Sequence, residues 1–125
     1  MIVVDGANVV GSVPDGWWRD RVGAAERLRD ALAEAGPAAV EGGSGDDELV
    51  LVVEGAARGV PAVPGVRVVS ADRSSGDDAI VDLLRREGSG DGLVVTSDRG
   101  LRDRVIRLGA RVVGPSALRI NRNRS

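Results

Sequence analysis

Short apolar runs recur along the chain, and each gives way to a polar or glycine-rich step. Ile2-Val3-Val4, Leu49 to Val53 and Leu93-Val94-Val95 are apolar at consecutive positions, without the alternation of a half-exposed strand, and Val66 to Val69 and Arg111-Val112-Val113 are similar runs with one Arg each. Runs of this kind predict strands covered on both faces, as in a parallel sheet. Helical spacing fills the intervals. Trp18, Val22, Ala25, Leu28 and Leu32 predict an amphipathic helix from Trp17 to Ala35, with Asp15 as its N-cap and Gly36-Pro37 as its stop. Ile80, Val81, Leu83 and Leu84 give an apolar face to a helix from Asp77 to Glu87, and Leu101, Val105 and Leu108 to one from Arg99 to Leu108. Val9 to Gly16, residues 36 to 48 and Gly55 to Gly65 are rich in turn-forming residues and read as loops. Strand and helix alternating at this pitch predict an α/β fold, a three-layer sandwich around a mostly parallel five-stranded sheet.

A chain of 125 residues fits one domain that can bury a core without staples. Composition then narrows the chemistry. Cys and His are both absent, which removes thiol catalysis, zinc knuckles, His-dependent triads and imidazole metal sites. All 17 basic residues are Arg, so no Walker A or Schiff-base Lys is present. The abundance of Ala, Gly, Val and Arg with few aromatics is the pattern of GC-rich coding, which accounts for Arg in place of Lys. Polar chemistry must therefore run on carboxylates, Asn, Ser, Thr and Arg.

The net charge of −2 hides a division: Arg99 to Ser125 carries +7, and the preceding residues −9. An acidic region followed by a basic one suits a site that binds cations beside a phosphate backbone, although a solvated basic helix gives the same count. No apolar run approaches the length of a membrane span, and Met1 leads straight into a strand without a signal-peptide pattern. With no Cys to oxidise, the expectation is a cytoplasmic protein without membrane partners.

Three acids are predicted to meet at one edge. Asp5 follows the first strand, Asp98 follows the fourth, and Asp77 or Asp78 opens the helix after the third; in a parallel sheet these positions share the edge where ligands bind. Carboxylates gathered without basic partners are tolerable when a divalent cation neutralises them, and oxygen-only ligands favour Mg²⁺ or Mn²⁺. Each acid also has a local use. Asp5 suits a turn, Asp98 an N-cap, and Ser75 with Asp78 a capping box. On a helical wheel Asp77 lies with Ile80, Val81 and Leu84, while Asp78 lies with Asp82 and Arg85 toward solvent, so Asp77 is the better ligand.

Asp5-Gly6-Ala7-Asn8-Val9, Ser75-Gly76-Asp77-Asp78-Ala79-Ile80 and Val94-Val95-Thr96-Ser97-Asp98, in this order and spacing, resemble the NYN branch of the PIN-like ribonuclease superfamily, and within it the short bacterial YacP-like proteins. The resemblance runs from Met1 to about Ala117, so residues 1–117 form an NYN/PIN-like nuclease domain and 118–125 a basic tail. It implies a PIN-like, Rossmann-like fold and a metal-dependent endoribonuclease using Mg²⁺ or Mn²⁺. It also implies that Asp5, Asp77 and Asp98 bind metal, that Asn8 supports the site, and that Asp78 is a second-rank catalytic candidate. RNA is the implied partner, with ribosomal or translation-associated RNA as one context. Relatives often carry a further acid four residues beyond the strand-four Asp. Here that position is Arg102 and the acid is Asp103, which puts a fourth ligand in doubt.

Ser97, Arg99, Arg102 and Arg104 are the candidate substrate contacts, with Arg107, Arg111, Arg119, Arg122 and Arg124 beyond them. Trp17 and Trp18 are the only aromatics. Trp18 continues into Val22 and Ala25 and is expected in the core, whereas Trp17 suits either the core or a stacked base. Two readings stand beside the nuclease: an RNA-binding module without turnover, and a small-molecule phosphohydrolase.

Overall fold

The computed structural model describes residues 1–72, 74–88 and 92–120. Five strands form one sheet: β1 (Ile2–Asp5), β2 (Leu49–Val53), β3 (Val66–Ser70), β4 (Leu93–Val95) and β5 (Arg111–Val113). Their order is β3-β2-β1-β4-β5, and every neighbouring pair is parallel. Four helices flank them: α1 (Gly6–Gly11), α2 (Arg21–Ala35), α3 (Gly76–Glu87) and α4 (Arg99–Ile106).

Because successive strand residues point to opposite faces, the consecutive apolar runs build two cores. Ile2, Val4, Leu49, Leu51, Val53 and Val95 pack with Leu28 and Leu32 on the α1/α2 side. Val3, Val50, Val52 and Val94 pack with Ile80, Leu83, Leu101 and Val105 on the α3/α4 side. This is the three-layer α/β sandwich expected.

Strand order locates the working edge. The chain steps outward from β1 to β2 and β3, then crosses back to place β4 on the other side of β1. Connections therefore diverge above the carboxyl ends of β1 and β4, where open α/β sheets leave a crevice.

Two local expectations are corrected. The segment expected as loop from Val9 begins as the short helix α1, whose Val9 and Val10 are buried against the sheet. Six residues with glycine at both ends have little intrinsic helicity, so packing decides. Nor does one helix run from Trp17. A separate 3-10 turn covers Trp17–Arg19, Asp20 breaks the path with φ −151° and ψ 77°, and α2 starts at Arg21. Asp20, not Asp15, is the N-cap, its Oδ1 accepting the Gly23 N–H at 2.9 Å. The break shifts the helical phase: Trp17 packs against the core, whereas Trp18 is 52% exposed and not core as expected.

After Ala117 the chain stays against the domain. Leu118 bridges Val40, and Leu118 and Ile120 pack on the α1/α2 core. Arg122 and Arg124 lie outside the described residues. Among the described residues no helix is long and apolar enough to cross a membrane.

Candidate active site

Asp5 ends the central strand and is buried. The residue after it must be small: a Cβ at Gly6 would stand 2.5 Å from the Val52 carbonyl oxygen on the neighbouring strand. Space, rather than an unusual backbone angle, explains this glycine. Asp5 occupies the N-cap position of α1, yet its side chain makes no capping bond. Instead Oδ2 accepts the Thr96 hydroxyl at 2.8 Å. Thr96 directly follows β4, and its Oγ1 in turn accepts the Asp98 backbone N–H at 3.1 Å. Asn8 Oδ1 accepts both the backbone N–H and the hydroxyl of Ser97, at 2.8 and 3.0 Å. The β1–α1 and β4–α4 turns are thereby stitched together, which holds Asp5 and Asp98 at one place.

Asp98 caps α4, its Oδ1 accepting the Leu101 N–H at 2.9 Å. Ser75 caps α3 by accepting the Asp78 N–H at 3.2 Å. Asp77 is half-buried and Asp78 exposed, as the helical wheel implies. Asp78 is also neutralised, because Arg104 reaches its Oδ1 at 3.0 Å. That pair ties Arg104, a candidate substrate contact, to a protein carboxylate. Arg99 and Arg102 are exposed on α4 without an ion pair to any described residue, and Asp103 is exposed on the same helix.

Sequence reasoning missed Glu54. It follows β2 directly, and its Oε2 accepts the Gly76 N–H at 2.7 Å, joining the second strand to the first turn of α3. A buried apolar run ending in an acid was the available signal, as at Asp5. Thr96 was quoted in the β4 motif but given no role; its hydroxyl is the link between Asp5 and Asp98.

The electrostatics show these acids as a group. Asp5 is pushed up to about 6, chiefly by burial and further by the charges of Asp77 and Glu54, with the Thr96 hydroxyl and the nearby Asn8 backbone N–H pulling the other way. Asp77 is likewise raised, first by burial and then by Asp98 and Glu54. Arg104 opposes this at Asp77 without cancelling it, so two carboxylates, Asp5 and Asp77, are raised at one edge of the sheet. The donor chemistry fits a hard divalent cation: oxygen only, anionic and partly buried.

Position alone does not complete a metal centre. Among the described residues no three acidic side chains converge closely enough to hold an ion. The hydrogen bonds give the physical reason. Asp5 leans on Thr96, Glu54 on Gly76 and Asp98 on Leu101, so each commits an oxygen to the protein. Rotation of these side chains toward the crevice is needed to gather their oxygens.

With this geometry the chain can be set beside solved structures. Rae1 (YacP) from Bacillus subtilis superposes with a TM-score of 0.73 over 94% of this chain and 70% of that one, at 19% identity. The chain has the fold of Rae1 (YacP). The likeness is one of architecture, and it bears out the fold that the NYN motifs implied. No family model matches the chain, and no curated protein sequence matches it.

Proposed function

We propose that the protein is an endoribonuclease that hydrolyses RNA phosphodiester bonds with Mg²⁺ or Mn²⁺. The observation that carries this reading is the gathering of carboxylates at the sheet's crevice, where Asp77 and Glu54 raise Asp5 and where Asp98 and Glu54 raise Asp77 against the opposing charge of Arg104. The YacP-like fold and the three NYN-like motifs support it.

Asp5, Asp77 and Asp98 would hold the ion, with Glu54 as a further acid. When bound, the ion supplies an acidified water and positive charge where the phosphodiester gains negative charge. Asn8 holds the Ser97 turn rigid, and Thr96 keeps Asp5 and Asp98 in step. Arg99 and Arg102, exposed on α4 and without an ion pair among the described residues, steady the RNA backbone. Asp78 stays paired with Arg104 and shapes the entrance rather than the chemistry.

Calorimetric titration with Mn²⁺, together with cleavage of a structured RNA, tests the proposal. Metal uptake and cleavage by the wild type, both lost in Asp98→Asn, are expected. The commitment of carboxylate oxygens to protein hydrogen bonds favours one other reading, an RNA-binding module without turnover. RNA binding without metal uptake or cleavage would select it.

A further inference from the structure

We propose that a pocket beside the carboxylates, on the α2 side of the sheet edge, is a subsite for one unpaired nucleobase of the RNA chain. The inference rests on the ribonuclease reading for the identity of that chain. The pocket has a volume of about 260 Å³ and lies between α1, α2 and the end of β2. Gly6 and Ala7, which follow Asp5, form one rim, and Glu54 forms another. An occupant therefore sits immediately next to the acids.

The lining specifies the occupant. Val10, Ala25, Val53 and Ala57 make an apolar floor, and Arg21 and Glu54, of opposite charge, both line the pocket, which suits a largely apolar occupant with polar edges better than a bare anion. Trp17 supplies an aromatic wall, with the Arg21 guanidinium 5.2 Å from its ring centroid. Trp18 braces Trp17 edge-on, at 6.0 Å between centroids and 87° between planes. A flat heteroaromatic ring satisfies all three features: its face meets Trp17, its acceptors meet Arg21, and its N–H groups meet Glu54. Only an unpaired base can leave its strand to enter.

The chain carries two Trp and no Tyr or Phe, so a Trp18→Leu variant emits from Trp17 alone. The probe is a single-stranded hexaribonucleotide of mixed sequence, added in EDTA so that it stays intact. Quenching of Trp17 is expected, together with about tenfold weaker binding of an abasic ribose-phosphate hexamer that leaves the emission unchanged. Equal quenching by the abasic chain overturns the subsite, as does unchanged emission at saturation or a failure of the hexamer to bind in a filter assay. Arg21→Ala, an exposed change, is expected to narrow the gap between the two probes, and an unaltered gap counts against Arg21 as a base contact. The two proposals fail separately. Quenching by bases in a protein that cleaves no RNA under Mg²⁺ or Mn²⁺ removes the nuclease and keeps the subsite; cleavage without quenching does the reverse.

Discussion

The Glu54 carboxylate accepts the Gly76 backbone N–H at 2.7 Å, and this bond ties the start of α3 to the end of β2 beside the apolar packing of the helix. It decides where Asp77, the next residue, stands. Glu54 thus has a structural use and an electrostatic one, and two substitutions separate them. Glu54→Ala removes a charge-assisted bond to a half-buried amide and is expected to cost about 1–2 kcal/mol in urea unfolding. Glu54→Gln keeps an acceptor, so stability should stay near wild type while Mn²⁺ affinity and cleavage fall. Wild-type cleavage by Glu54→Gln would show that its charge plays no part.

Asp98 carries a similar double duty as N-cap and candidate ligand. Asn caps about as well as Asp, so Asp98→Asn should change stability by less than about 0.5 kcal/mol, whereas Asp98→Ala should lose about 1 kcal/mol. Both variants should lose cleavage by on the order of a hundredfold or more, since the site depends on charge. Thermal melts beside initial rates check the split.

Burial and neighbouring carboxylates raise Asp5 to about 6. A folded-state value above the unfolded one means that the folded protein holds this proton more tightly. The contribution of Asp5 to metal-free stability is therefore fully present below the unfolded pKa near 4 and is lost as pH rises through 6, about 3 kcal/mol in all. Asp5→Asn should flatten that slope and be the more stable form at pH 8 in EDTA. Urea midpoints across pH 4.5 to 8 measure it; a wild type that gains stability over the whole range contradicts the assignment.

A methyl group at Gly6 would meet the Val52 carbonyl at 2.5 Å, and backbone cannot yield as a side-chain tip can. Gly6→Ala is expected to destabilise by about 1–3 kcal/mol and to displace Asp5, so that both melting temperature and cleavage drop.

Arg99 and Arg102 are exposed and have no ion pair among the described residues, while Arg104 is held by Asp78. Arg99→Ala and Arg102→Ala should each weaken RNA binding and reduce its salt dependence by roughly 0.7 in the log–log slope. Arg104→Ala should do so less. Filter binding over a salt series orders the three.

Much of this was legible in the chain because its signals were local. Leu49–Val53, Leu93–Val95 and Arg111–Val113 are strands at the bounds their apolar runs imply, and the Asp98 and Ser75 caps sit where the side chains suggest. The motifs placed Asp5, Asp77 and Asp98 at a common edge. What escaped was set by contacts distant in sequence. Glu54 acquires its partner 22 residues away, and Thr96 and Asp5 meet across 91. α1 forms because Val9 and Val10 find a core, and Trp18 faces water because the turn at Asp20 breaks a phase that the wheel took as continuous. Side-chain convergence was the least legible, since each acid chooses between a cap and a cation by a rotation that spacing does not encode.

The proposed chemistry requires these carboxylates to turn together onto a hard dication. The anomalous difference map of a crystal soaked in Mn²⁺ tests it most directly. A peak among Asp5, Asp77 and Asp98, with Glu54 close by, is expected. A saturated crystal with no peak there, its Mn²⁺ bound only at surface acids such as Asp46, would contradict it.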